Sequence, residues 1–424
     1  MDRILDSDRL AQLGQELRQE LGSSGELAGD WMRRAARLLA EQMLEAEVDE
    51  ALGRGSYQRR QENQVGYRNG YKRRQLKSAE GKLAIDLPQV RGTPQPYQSK
   101  IWQSLGNGRS AALEKLAVEM YARGLSTRDI EELLGALCDG EDQQTLLSKS
   151  AVSQVTEALW QEYEAFTKRD LSGFNVVYLF CDAVYESLRQ QGCCSQAILV
   201  TWAICSDGSK VLLHMSLGNK ESAEAWLEHL RSLVSRNLPV PLTITTDGAP
   251  GLIKAVEAMW PESERIRCWF HKMKNVLEKV PQEMHEAIKR LLQDVRDAPD
   301  YETGKRRALE LIESHRRQLP SAMACLADDL EASLAHLKLP SLHQKMIRTT
   351  NLCERSFVEE RRRSKVIPRF FDERSCLKLV FATLWRASVR WRGVKFTEME
   401  RKQLEAYIRV RQAIGKKVRD LAAA

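Results

Sequence analysis

The sequence predicts a mixed α/β protein in which one sheet-bearing region is flanked by helical segments, and three observations carry that reading. Near residue 174 the apolar spacing changes from a helical period to the short runs and alternation of strands. From there to about residue 270 the segments read in the order βββαβαβ. On both sides of that region the spacing is helical almost throughout.

A chain of 424 residues is long enough for two or three domains. With 43% hydrophobic and 29% charged residues it has the composition of a folded protein, which excludes a largely disordered one. No run approaches the apolar length of a membrane span, and MDRILDSDRL lacks the basic-then-apolar order of a secretory signal, so a cytoplasmic protein without a membrane partner is expected. The nine cysteines are scattered singly apart from Cys193 and Cys194, which speaks against a disulfide framework and fits a reducing compartment. The net charge of +7 is modest, but its distribution is uneven.

Residues 30–52 place Leu38, Leu39, Met43, Leu44, Val48 and Leu52 at helical spacing. Between Arg54 and Lys77 eight basic residues stand against one acid, Glu62, so this stretch alone matches the net charge of the chain. Tyr57, Tyr67 and Tyr71 interleave with Arg68, Lys72, Arg73 and Arg74, a composition suited to phosphate contact with stacking on sugar or base. A solvated basic loop is the alternative. KLAIDLP then alternates as a short strand that stops at Pro88.

From Ala111 to Phe166 the pattern is helical, with breaks at RGLST and CDGEDQQ. Ser126 and Asp129 form a capping-box-like start for a helix over 127–137, entered through a turn at Gly124. One further helix is expected over 151–166, with Ser150, Ser153 and Gln154 at its start. The arrangement resembles a helix-turn-helix DNA reader, as do many ordinary three-helix packs.

VVYLFCD, QAILVTWAICS and VLLHMSL read as three consecutive strands, the last two joined across the DGS turn at residues 207–209. Ser222 caps an amphipathic helix, PLTITTD is a fourth strand, residues 251–259 are helical and RIRCWF is a short fifth strand. Three meandering strands followed by alternating helix and strand is the order of the ribonuclease H-like fold, an α/β sheet with helices on both faces. Residues 283–339 look helical and charged, helices resume over 350–365 and 373–391, and the tail to Ala424 is basic and helical.

In such a sheet the first and fourth strands are neighbours, so Asp182 and Asp247 at their ends should approach each other. Two such acids repel unless cations neutralise them, and hard oxygen ligands suit Mg²⁺ or Mn²⁺. Two such ions can activate an attacking oxygen and stabilise a leaving oxygen of a phosphodiester. Glu354, Glu359 and Glu360 all lie near one later helix; Glu354 is favoured by its neighbours in RTTNLCERSF, where Thr350 can cap the helix and Arg355 adjoins the acid.

With these residues in view, the sequence resembles the Mutator family of transposases, in its bacterial insertion-sequence branch. The likeness runs from about Glu45 to Phe396, through GYRNGYKRR, MYARGLSTRDIEELL, YLFCDAVY, ITTDGAPGLIKAV, RCWFHKMKNV and RTTNLCERSF. The resemblance implies a ribonuclease H-like catalytic domain interrupted by a helical insertion between Cys268 and Thr350. It implies that Asp182 and Asp247 share two metal ions and that Glu354 completes one site. It also implies hydrolysis that frees a 3′-hydroxyl at a transposon end, then attack of that hydroxyl on another phosphodiester. Cys353, Arg355 and Phe357 depart from the commoner family form, which leaves the acid intact and puts subgroup and end sequence in doubt.

The expected division is a helical and basic DNA-binding region at 1–105, a helix-turn-helix-like domain at 106–172, catalytic core at 173–281, helical insertion at 282–345, the last part of the core with the Glu354 helix at 346–395, and a basic helix at 396–424. Cys268 and His271 match the family's C-x-x-H motif. Zinc there would need two more ligands, and His336 and His343 lie far off in sequence, so a core cysteine with a helix-capping or DNA-contacting histidine is the favoured reading. His271, Lys272 and Lys274 are candidate phosphate contacts. So are Arg355, Arg361, Arg362, Arg363 and Lys365 on one helical stretch, with a solvated face as the alternative. Trp260 and Trp269 could stack on distorted bases, though core positions are the simpler reading. The expected partners are double-stranded DNA and, in the active complex, at least a second copy of the chain. A structure-selective nuclease or junction resolvase, and a catalytically silent DNA-binding regulator, are the competing functions.

Overall fold

A computed structural model describes residue 15 and residues 28–422 apart from 57, 63, 80, 106–107, 137–144, 190–194, 219–221, 366 and 368. Tyr57, Cys138, Cys193 and Cys194 therefore lie outside the described residues. The chain is mixed α/β and forms two compact units, Met1–Ala158 and Leu159–Ala424. Among the described residues the six cysteines are free thiols, and no helix is long and apolar enough to cross a membrane.

The first unit begins with helix α1 (Ala28–Leu52), whose Leu44, Val48 and Leu52 are buried. Strands β1 (Tyr67–Ser78) and β2 (Gly81–Arg91) form an antiparallel hairpin that packs Leu76, Leu83 and Ile85 against Leu44. The basic stretch is thus divided: Arg54, Arg59 and Arg60 lie ahead of the hairpin, and Arg68 to Lys77 lie on its first strand. Pro88 does not end its strand. It pairs with Tyr71 beside the bulge between Arg68 and Tyr71, in a two-stranded ribbon where a missing N–H is tolerated.

After the short α2 (Lys100–Ser104) come α3 (Ala111–Ala122), α4 (Thr127–Ala136) and α5 (Lys149–Val155), packed around Leu113, Ile130, Leu134, Leu147 and Val152. The Ser126 hydroxyl accepts from Asp129 N at 3.1 Å while Ser126 N donates to Asp129 Oδ2 at 2.8 Å, as the capping pattern predicts. The single helix expected over 151–166 is two. Glu157 N and Thr156 Oγ1 turn to the carbonyls three residues back, which tightens the last turn of α5 before α6 (Ala158–Lys168) begins. Ser148 caps α5, its hydroxyl accepting from Ala151 N.

The second unit is built on a five-stranded sheet in the order β5-β4-β3-β6-β7. Its strands are β3 (Val176–Ser187), β4 (Ser195–Cys205), β5 (Lys210–Gly218), β6 (Thr243–Thr246) and β7 (Glu264–Arg267). β3, β4 and β5 are an antiparallel meander, and β6 joins β3 in parallel, so the first and fourth strands of this sheet are neighbours. Helices α7 (Ala223–Ser235) and α8 (Pro250–Met259) cover one face, where Trp226, Leu230 and Leu252 meet Leu179, Leu199 and Ile244.

Beyond β7, the Trp269 and Phe270 read as strand belong to α9 (Trp269–Leu277). Helices α10 (His285–Arg296), α11 (Tyr301–His315), α12 (Pro320–Ala327), α13 (Leu330–Leu334) and α14 (Ser341–Ile347) follow. Most of this segment shares its own core of Ile288, Leu292, Ala308, Met323 and Leu334 with Trp269. Trp269 is fully buried and donates Nε1–H to the Ser333 carbonyl at 2.6 Å, and Trp260 is buried in the sheet core, so neither offers a face for base stacking. Helices α15 (Asn351–Ser364) and α16 (Glu373–Arg390) return to the sheet, and α17 (Glu398–Ala422) ends the described chain. Cys353 of α15 approaches the Phe180 carbonyl of β3 at 3.7 Å, and Trp391 just after α16 stacks on Trp202 of β4 at 4.7 Å.

Candidate functional site

The parallel pairing of β3 with β6 ends where Cys181 meets Thr246, so Asp182 and Asp247 are the next residue of each strand's path. Their side chains therefore emerge at matching positions on neighbouring strands. Asp182 does not end its strand, since β3 continues beside β4 to Ser187, which holds the carboxylate on a rigid backbone. Its Oδ1 accepts from Ala183 N at 2.9 Å, and its Oδ2 is buried without a hydrogen-bond partner. Burial and then the neighbouring Asp247 push the Asp182 carboxyl up to about 7, while His271 and the Thr350 hydroxyl pull the other way with less effect.

Asp247 is half-buried and accepts from Ala249 N at 2.9 Å, at the turn that opens α8 on Pro250. Gly248 has φ +85, and a Cβ there would fall on the guanidinium of Arg267. The turn beneath Asp247 thus requires glycine twice over, for its backbone and for the cation packed against it.

Glu354 arrives from far along the chain because residues 347–350 are stitched to the ends of β6 and β7. Thr245 Oγ1 donates to the Ile347 carbonyl at 2.7 Å, Trp269 N donates to the Arg348 carbonyl at 2.8 Å, and Thr350 N donates to Cys268 Sγ at 3.3 Å. One turn into α15, Glu354 Oε1 lies 3.4 Å from Thr350 Oγ1 and 4.0 Å from His271 Nε2. Thr350 precedes the helix without capping it through its side chain; its hydroxyl turns to the Glu354 carboxylate and the Cys268 sulfur instead. Cys268, His271 and Glu354 each offer a ligand atom within 4.8 Å of the others. Cys268 is buried at the start of α9, and burial raises its thiol pKa. His271 lies inside the helix rather than capping it.

The other candidates divide by exposure and pairing. Lys72, Arg73 and Arg74 are exposed on β1, whereas Arg68 is half-buried against Glu45, at 3.1 Å, and Asp49. Lys274, Arg355, Arg361 and Lys365 are exposed, with Arg355 over the Trp391 ring. Arg362 and Arg363 both bind Glu359, at 2.7 and 2.9 Å. Lys272 is the clear correction: it is buried and its ammonium is held by the Asp328 carbonyl, so it has no free head for phosphate. Two residues near the acids were missed. Thr350 was legible only as a cap, and Arg267 gave no signal, because its role depends on the close approach of Gly248.

A mixed sheet brings Asp182 and Asp247 to adjacent positions in register, and a later helix brings Glu354 beside Cys268 and His271. The sequence model described as Transposase, Mutator family, matches residues 9–393. The chain is 30% identical over 363 residues to the transposase for insertion sequence element ISRM5 of Rhizobium meliloti, covering 85% of this chain and 89% of that one. It is 33% identical over 282 residues to the transposase for IS6120 of Mycolicibacterium smegmatis, covering 65% and 84%. It is 26% identical over 353 residues to the transposase for IS256 in transposon Tn4001 of Staphylococcus aureus, covering 82% and 88%. The chain belongs to the Mutator family of transposases.

Proposed function

We propose that this chain binds the ends of an insertion sequence, hydrolyses phosphodiester bonds there to free 3′-hydroxyls and joins those ends to target DNA. In this reading the five-stranded sheet is a ribonuclease H-like core, and α9 to α14 are an insertion within it. Asp182, Asp247 and Glu354 are its acids. The observation that carries the reading is the pair of carboxylates in register, Asp182 on β3 and Asp247 just past the end of β6, with Asp182 Oδ2 buried and unpartnered.

Two Mg²⁺ or Mn²⁺ ions fit this donor set, because hard cations bind carboxylate oxygen and a buried orphan oxygen requires a partner. Asp182 and Asp247 would hold both ions and Glu354 one of them. When bound, they supply the Lewis acidity that activates an attacking oxygen and stabilises a leaving one. The chain's own part is positional. β3 and β6 fix the first two carboxylates, Thr350 orients the Glu354 oxygen, and Gly248 over Arg267 sets the turn that aims Asp247.

Lys72, Arg73 and Arg74 on the hairpin, and Lys274, Arg355, Arg361 and Lys365 in the second unit, are the proposed phosphate contacts. The helices α3 to α5 are the proposed helix-turn-helix-like reader. Joining two ends calls for at least two copies in the active complex. The test is Mg²⁺-dependent cleavage and strand transfer on DNA carrying the element's ends, comparing wild type with Glu354→Gln. Joined product from wild type alone is expected; cutting without joining would favour a nuclease, and binding with neither would favour a regulator. Arg73→Gln with Arg74→Gln should weaken DNA binding and flatten its salt dependence by about one unit of slope per lost contact. An unchanged slope would return these residues to a solvated face.

A further inference from the structure

We propose that Cys268, His271 and Glu354 form a binding site for one soft divalent transition metal of the zinc class, distinct in chemistry from the hard ions proposed at Asp182 and Asp247. Thiolate, imidazole and carboxylate together are a zinc-type donor set, whereas Mg²⁺ avoids sulfur. The third ligand is what the C-x-x-H spacing could not supply, and the fold supplies it from a residue 83 positions beyond His271.

The geometry is close to closed. The three ligand atoms lie within 4.8 Å of one another, and metal bonds of about 2.0–2.3 Å would draw them together by about 1 Å, within reach of side-chain rotation. His271 Nδ1 is buried without a hydrogen-bond partner, and Nε2 faces Glu354 Oε1 at 4.0 Å. The Cys268 sulfur already accepts from Thr350 N at 3.3 Å, a donor that favours a thiolate. Binding transfers the thiol proton to solvent and leaves the sulfur electron pair on the metal, with no change of oxidation state. The His271 and Glu354 side chains remain 28% and 30% exposed, so a fourth position stays open to water.

The inference rests on the proposed function only through Glu354, which the two sites share. A soft ion here holds Glu354 away from Asp182 and Asp247 and suppresses Mg²⁺-supported cleavage.

The test uses the full chain stripped of metal and titrated with Co²⁺, read by the near-ultraviolet sulfur-to-cobalt charge-transfer band without DNA. Wild type should bind one equivalent with that band. Cys268→Ser should lose it, and His271→Ala and Glu354→Gln should each weaken binding about tenfold or more. No band in wild type, or an undiminished band in Cys268→Ser, overturns the site. Wild-type affinity in Glu354→Gln overturns the third ligand. Melting curves check that each variant is folded, and half-exposed His271 serves if Cys268→Ser is not. Because the readout needs no cleavage, this site can fail while Glu354→Gln still abolishes DNA cutting, and the reverse outcome separates the two readings equally well.

Discussion

Two buried polar clusters of the second unit share the strand β3 and differ in how they are satisfied. Around Asp182 two carboxylates approach each other and one oxygen is buried without a partner. Around Tyr178, four residues before Asp182, the polar groups face partners: its hydroxyl lies 2.6 Å from His343 Nδ1, and His343 Nε2 lies 3.2 Å from Glu400 Oε1. Glu400 Oε2 accepts from Thr397 N and Oγ1, both at 2.6 Å. The Phe396 ring packs tilted against His343 with centroids 4.5 Å apart, so the network ties β3 to α14 and to the start of α17. A network joined by a hydrogen bond and an ion-pair contact, as at His343, rigidifies a fold even though His343 Nε2 makes no hydrogen bond, while a buried carboxylate oxygen facing a second carboxylate costs about 1–3 kcal/mol and calls for a ligand. The first cluster is therefore read as a reaction site and the second as a clasp.

The largest effect should come from breaking the first cluster. Asp182→Asn is expected to lower Mg²⁺-dependent cleavage by about a thousandfold or more, and to raise the melting temperature by removing a buried charge that faces Asp247. Wild-type cleavage in that variant would sink the assignment. His343→Ala should do the opposite. It strands the Tyr178 hydroxyl and the Glu400 carboxylate and should cost about 2–3 kcal/mol, read as a lower melting temperature, with cleavage retained at temperatures where the variant is folded. Cleavage lost without any loss of stability would move the clasp into the reaction site.

Glu360 sharpens the comparison because its carboxyl too is buried, beside Glu186. Burial and then Glu186 push its carboxyl up to about 8, so at neutral pH it keeps a proton and needs no cation. A folded-state pKa above the unfolded value gives stability that is full at pH below the unfolded value, about 4.3, and is lost as pH rises through about 8. Glu360→Gln removes that loss, so its melting temperature relative to wild type should be higher at pH 8 than at pH 5, with cleavage unchanged. A pH-independent difference would mean that Glu360 is already ionised, and lost cleavage would make it the third acid in place of Glu354. The smallest change is Tyr178→Phe, expected to cost about 1 kcal/mol by thermal melt for one hydroxyl bond. A cost as large as that of His343→Ala would show that the hydroxyl, rather than the ring between its partners, carries the clasp.

Much of the sheet was legible in the sequence because burial on both faces writes itself as continuous apolar runs, as in VVYLF and QAILVTWAI, all but uninterrupted by charge. Helix starts with a polar cap were legible for the same local reason, as at Ser126 and Ser222. Less legible was where a strand stops. PLTITTD yields only four paired residues and RIRCWF ends at Arg267, because the length of a short parallel strand depends on its neighbour. The split of the 151–166 helix at Thr156 and the burial of Lys272 were likewise invisible, since each depends on contacts within the folded unit.

The sequence by itself determined the mixed α/β class, the order of strands and helices from residue 176 to residue 267, and the place of Glu354 in the first turn of a helix. Those features follow from periodicity and from hydrogen bonds spanning a few residues. Only the tertiary structure decided that Thr350 turns to Glu354 and Cys268, that Arg267 fills the space under Gly248, and that Glu354 meets Cys268 and His271. Each of those contacts joins residues far apart in the chain, and no local spacing encodes the side-chain directions that long-range packing imposes.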